Sequence, residues 1–285
     1  GKDGGYHTTQ EPRRSGNSAV GGSDFVAVFY DSAVPSVSGM QVRRIPLMAR
    51  FGVILPAAGS STRMTGFQKK KPFLDLKGRP VWVRTAEHFL SRNDVCQTII
   101  AVSPDDLEWF RETYRANLAF MDIQVVAGGA SRAESVRNAI QQLGPDVQYI
   151  AVHDAARPLL ATRWIDEIFA AAEQHKAAIP GLRISSTVKR VAASGRITET
   201  VDRTGLVQAQ TPQVFERGVL EKAFAICRNL AGATDEASMV ETAGHPVQVI
   251  DGWPMNIKIT TAEDFRLAEL FVGALPKPAS LGGLH

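Results

Sequence analysis

Short, near-continuous apolar runs recur along the chain from about residue 50: Gly52–Pro56, Thr98–Ser103, Ile123–Val126, Tyr149–His153, Ala178–Leu182 and Val247–Ile250. A strand with one wet face would alternate apolar and polar positions, so these runs predict strands covered on both faces of a sheet. Helical spacing fills the gaps between them. Ser131 and Glu134 form an S-x-x-E capping box, and Ala133, Val136, Ile140 and Leu143 then share one helix face. Thr261 with Asp264 opens another helix, carrying Phe265, Ala268, Leu270 and Phe271. Pro80–Leu90, Asp105–Tyr114, Thr162–Gln174 and Glu216–Cys227 are further helical stretches. Alternating strands and helices predict an α/β fold: a mostly parallel, Rossmann-like sheet with helices on both faces. One stretch departs from the alternation. Ser186–Val191 and Ile197–Val201 flank a short Gly-containing turn and predict a β-hairpin, part of an arm over about residues 183–205 projecting from the core.

Composition sharpens this picture at the ends. Residues 1–47 are rich in Gly and Ser without a sustained period, and their one apolar patch, Phe25–Tyr30, is too short for a signal-peptide core. They are expected to be a disordered extension, with the domain running over 48–275 and a tail over 276–285. Lys and Arg number 32 against 29 Asp and Glu, a net charge of +3, spread too evenly to indicate nucleic acid or an anionic membrane as partner. No apolar run approaches the ~20 residues of a bilayer span. Cys96 and Cys227 lack metal-ligand spacing, which fits a reducing, cytoplasmic setting.

Ligands of open α/β sheets sit beyond the carboxyl ends of the strands, so candidate chemistry is sought there. The first strand runs into Pro56-Ala57-Ala58-Gly59-Ser60-Ser61-Thr62-Arg63-Met64, followed by Lys69, Lys70 and Lys71. Small residues allow a tight backbone curl whose N–H groups face an anion. The loop is neither a GxGxxG nor a Walker sequence, and by itself it reads equally as a structural turn with a solvated basic run. Asp154, after the fourth run, suits a metal or a substrate hydroxyl, or a local ion pair with Arg157. His153 reads as a packed strand residue rather than a base. Gly128-Gly129-Ala130-Ser131-Arg132 is a second tight turn into a helix, suited to a base edge, a phosphate or simple capping.

The Pro56–Met64 loop, Lys71-Pro72-Phe73-Leu74, Gly128–Ser135, His153–Pro158, Thr200-Val201-Asp202-Arg203, Thr211-Pro212-Gln213, Thr234-Asp235-Glu236-Ala237 and Asn256–Thr260 occur in the order and spacing of one enzyme family. Over about residues 50–272 the chain resembles the 2-C-methyl-D-erythritol 4-phosphate cytidylyltransferases of non-mevalonate isoprenoid synthesis. Each motif is weak alone, but eight in register are specific. The resemblance implies that Arg63 and Lys71 stabilise the transition state, and that Arg203 and Lys258 position the sugar phosphate. It also implies that Ala57, Ala58, Gly59, Ser60, Gly128, Gly129 and Ser135 bind the nucleotide. Asp154, Arg157, Thr187 and Thr234 would line the acceptor pocket, with Thr187 and Arg203 reaching across a homodimer through the hairpin arm. Mg²⁺ is implied, held mainly by the CTP phosphates, with Asp154 a further candidate ligand.

The chain departs from the family in two places. Ser61 stands where a second Gly is common, and one extra residue separates Arg63 from the lysine. The register of Phe73-Leu74 selects Lys71 as that lysine, with Lys70 the alternative. The chemistry is consistent with the absence of a Ser–His or Cys–His constellation. A phosphomonoester with a second pKa near ~6 is already largely dianionic and needs no general base to attack the α-phosphate of CTP. The rival readings are a ribitol 5-phosphate cytidylyltransferase and a non-catalytic nucleotide-binding protein on the same fold.

Overall fold

The structure, a computed structural model, describes residues 49–59 and 70–276. The N-terminal extension, Ser60, Arg63 and the tail from 277 lie outside the described residues. The expected apolar runs form β1 (Phe51–Pro56), β4 (Val95–Val102), β5 (Ile123–Ala127), β6 (Tyr149–Val152), β7 (Ala177–Arg183) and β12 (Gln248–Asp251). Between β1 and β4, β2 (Asp75–Leu76) and β3 (Arg79–Pro80) make a short antiparallel ladder. The helices are α1 (Val81–Leu90), α2 (Leu107–Thr113), α3 (Arg115–Met121), α4 (Arg132–Ile140), α5 (Thr162–His175), α6 (Arg217–Ile226), α7 (Glu236–Thr242) and α8 (Ala262–Phe271).

Strand β1 lies in the interior of the sheet. It pairs in parallel with β4 on one side and β6 on the other, and β5 continues the parallel ladder beyond β4. Its residues divide between two cores. Phe51, Val53 and Leu55 pack with Trp82 and Phe89 of α1, Phe110 of α2 and Ile165 and Phe169 of α5. Ile54 packs on the other face with Val136 and Ile140 of α4 and Leu220 and Phe224 of α6. Both faces are therefore dry, which is why the strand sequences are continuously apolar. Phe51 stacks on Phe169 with ring centroids 3.8 Å apart, and the Arg92 guanidinium lies 4.9 Å from the Phe169 centroid.

Two strands arise where no periodicity marks them. β10 (Val207–Ala209) and β11 (Gln213–Glu216) both run antiparallel to β7, and β11 also fills the space beside β6. The sheet is thus mostly parallel with an antiparallel insertion, while β12 adds a parallel pairing to β7. The predicted hairpin is present as β8 (Val188–Val191) and β9 (Ile197–Val201), a separate two-stranded sheet. Its Val191 and Ile197 side chains are exposed. Among the described residues, no helix is long and apolar enough to cross a membrane.

Candidate active site

The carboxyl ends of the parallel strands open into a cavity of about 700 Å³. Ala57, Ala58 and Gly59 line it after β1, Ser103 after β4, Gly129 to Arg132 after β5, and Asp154 and Ala156 after β6. Lys71 and Lys258 also line it. A larger groove of about 1160 Å³ lies at the other end of β4 and β5, but its cation Arg79 is paired with Glu87 at 2.7 Å. Anion chemistry therefore points to the smaller cavity.

Backbone packing shapes one side of this cavity. Gly128 N–H donates to the Val102 carbonyl at 2.7 Å, drawing the β5 turn against β4. A Cβ on Gly128 would come within 2.6 Å of the Ala58 Cβ, and one on Gly129 within 2.4 Å of the Glu134 Cβ. Neither site has room for a side chain. Ser135, in the first turn of α4, accepts from Gly129 N–H at 3.0 Å and donates to the Ser131 carbonyl at 2.9 Å. The expected Ser131–Glu134 capping box closes in both directions, so the turn enters α4 in a fixed pose.

The other wall is a buried ion cluster around Asp154. Asp154 Oδ1 accepts from Arg132 Nε at 3.0 Å, while Oδ2 accepts from Lys258 Nζ at 2.9 Å and Arg157 Nε at 3.3 Å. Burial pushes the Asp154 carboxyl upward, but Arg132, Lys258 and Arg157 together outweigh it and hold the group well below the usual carboxylate range. Arg132 reaches further, donating from Nη1 to Glu236 Oε1 at 2.7 Å. Burial lowers the Arg132 pKa, but Glu236 and Asp154 reverse that and leave it raised. Glu236 is fully buried, and burial raises its pKa against the pull of Arg132.

A second network holds the backbone of Asp154. Its N–H donates to Thr211 Oγ1 at 3.1 Å, and Thr211 Oγ1 lies 3.0 Å from His153 Nδ1. His153 Nε2 lies 3.0 Å from the Arg157 carbonyl, which can only accept, so Nε2 carries the proton and Nδ1 accepts from Thr211. Burial lowers the His153 pKa to about 3, so the ring is neutral and unsuited to act as a base at neutral pH. Asn256 completes the frame: its side chain donates to the Thr211 carbonyl at 2.7 Å and its own carbonyl accepts from Arg157 at 2.8 Å.

This geometry, small-residue turns facing a cationic wall at the strand ends, is what a nucleotide and an anionic acceptor require. The family model described as 2-C-methyl-D-erythritol 4-phosphate cytidylyltransferase matches residues 51–274. The chain belongs to this family. It is 41% identical to the Rhodopirellula baltica cytidylyltransferase over 78% of this chain and 94% of that protein. The Francisella tularensis enzyme's crystal structure is 29% identical, with a TM-score of 0.65 over 78% of this chain and 99% of that one. The Thermus thermophilus enzyme's structure is 27% identical, with a TM-score of 0.63, covering 79% of this chain and 99% of that one.

Against the residues that the cytidylyltransferase motifs single out, the structure brings together Ala57, Ala58, Gly59, Lys71, Gly129, Ser135, Asp154 and Lys258 as lining residues. Gly128 and Arg157 stand directly behind them. Lys70 instead pairs with Asp106. Thr187 and Arg203 are exposed on the arm, with Arg203 bonded to the Ser185 carbonyl, and neither lines this chain's cavity. Thr234 is exposed and also stands apart from the lining. The motifs do not single out Arg132 and Glu236 as site residues. They occur inside the Gly128–Ser135 and Thr234–Ala237 motifs, but nothing in the sequence joins positions 132, 154 and 236.

Proposed function

We propose that this protein transfers CMP from CTP to 2-C-methyl-D-erythritol 4-phosphate, releasing pyrophosphate. The observation that carries the reading is the Lys71- and Lys258-lined cavity at the strand ends of a chain belonging to this cytidylyltransferase family. The acceptor's phosphate oxygen forms a bond to the α-phosphorus as the bond to the bridging oxygen breaks and pyrophosphate leaves. Because the attacking group is already anionic, the protein's work is to align the two phosphates and offset their charge. The Gly128–Gly129 turn and Ser135 hold the cytidine end, and Arg63 and Lys71 offset charge on the triphosphate. Asp154, Arg157 and Lys258 receive the acceptor, its hydroxyls meeting the carboxylate and its phosphate the cations.

Mg²⁺ enters as part of the nucleotide substrate. Asp154 is the one carboxylate among the described lining residues, and both of its oxygens are engaged by Arg132, Arg157 and Lys258. Such a carboxylate is a poor resident metal ligand, whereas a triphosphate brings its own oxygens. Two copies pair through the hairpin arm, so that Thr187 and Arg203 complete the site of the partner. The exposed apolar side chains of Val191, Ile197, Leu206 and Val207 support this pairing, because a second chain can cover them.

The test is pyrophosphate release from Mg²⁺–CTP with a panel of polyol phosphates. Turnover is expected with methylerythritol 4-phosphate. Faster turnover of ribitol 5-phosphate would move the acceptor, and no turnover of any acceptor would overturn the activity.

A further inference from the structure

We propose that Glu236 is a positioning residue for the acceptor site. By holding one arm of the Arg132 guanidinium, it limits Arg132 to a single hydrogen bond with Asp154 and leaves Asp154 Oδ2 to Lys258 and Arg157. The inference rests on the reading of this wall as the acceptor pocket.

A guanidinium beside a carboxylate tends to pair through two parallel N–H···O bonds. Were Arg132 to do so here, it would bring a third donor to Asp154 Oδ2, which offers about two lone pairs, and would compete there with Lys258 and Arg157. In the structure it does not. Nε serves Asp154 Oδ1 at 3.0 Å, while Nη1 is drawn to Glu236 Oε1 at 2.7 Å. Oδ2 is then available to Lys258 Nζ at 2.9 Å and Arg157 Nε at 3.3 Å.

Glu236 can impose this because its own place is set independently of the site. It is the first residue of α7, directly after the N-cap Asp235, whose Oδ1 accepts from Ser238 N–H at 3.0 Å. Gln213 of β11 donates to Asp235 at 2.8 Å and accepts from Ala237 N–H at 3.0 Å, pinning the helix start to the sheet. The arrangement is costly: Glu236 has no exposed surface and its Oε2 has no hydrogen-bond partner among the described residues. A side chain that served packing alone would be better apolar. The cost is intelligible if the carboxylate sets the direction of Arg132.

The experiment is a kinetic cycle on the full chain, with KM measured separately for CTP and for the acceptor. E236Q keeps the size and an acceptor oxygen, so it should stay close to wild type. E236L keeps the bulk but cannot accept, and should lose roughly 30-fold or more in acceptor kcat/KM, as expected for a misplaced reacting group, with KM for CTP unchanged. The R132M/E236L double variant should be no worse than R132M alone, since the effect of Glu236 runs through Arg132. If E236L does not fold, E236A replaces it in the cycle.

An active E236L, equal losses for CTP and acceptor, or additive losses in the double variant would each overturn the role of Glu236. An inactive wild type would overturn the assigned reaction and the inference with it. The wild-type control therefore tells the two failures apart.

Discussion

Acid should destabilise this protein through His153 in particular. The buried ring has a pKa of about 3 in the folded chain, against about 6.5 in an unfolded one. Between those values the unfolded state binds the extra proton, so the stability that neutral His153 contributes is complete above about pH 6.5 and is lost progressively as pH falls toward 3. Going from pH 7.5 to 5.0, this one group should remove about 2 kcal/mol of folding free energy, rising toward a limit of about 5 kcal/mol at lower pH. The assay is urea unfolding of wild type and H153Q at both pH values. Gln can still donate and accept but does not titrate, so the wild type should lose about 2 kcal/mol more than the variant over this interval. His88, half-buried with a lowered pKa, and the carboxylates are common to both proteins and cancel. Equal losses would refute the reasoning, since they would mean that folded His153 takes up its proton as readily as the unfolded chain. The same protonation should damage the site, because a protonated Nδ1 cannot accept from Thr211, whose hydroxyl holds the Asp154 N–H.

Two further expectations concern the cations. Arg63→Ala and Lys71→Ala should each lower kcat by about a hundredfold or more, near 2.7 kcal/mol, as for lost charge stabilisation in a transition state; a change confined to KM would limit them to ground-state binding. Arg203→Ala and Arg63→Ala homodimers should each be nearly inactive, yet after subunit exchange activity should return to about a quarter of wild type, because half the dimers then hold one site with both arginines. No recovery despite proven exchange would place Arg203 in its own chain's site.

What could be read along the chain was what is local. Strands buried on both faces announce themselves as apolar runs, and the Ser131 and Thr261 capping boxes need only three residues to be recognised. β10 and β11 escaped because they are short and antiparallel and flank Thr211-Pro212, so neither length nor period marks them. The pairing of β11 is decided by the vacancy between β6 and β7, which exists only after the sheet forms, and β10 pairs with β7 alone. α7 has seven residues, too few to establish a helical face.

The site divides along the same line. The Asp154–Arg157 pair spans three residues and was among the alternatives the sequence left open. The Arg132 contacts span 22 residues to Asp154 and 104 to Glu236, and no spacing rule operates at those separations. The Thr234-Asp235-Glu236-Ala237 motif makes the point within four residues. Resemblance selects Thr234 for contact with substrate; in the structure Thr234 is exposed, and Glu236 is buried and accepts from Arg132. Capping decides this: with Asp235 turned back to the Ser238 amide as N-cap, the next residue begins the helix and is carried into the interior. The direction of each side chain in this segment thus follows from how the helix starts.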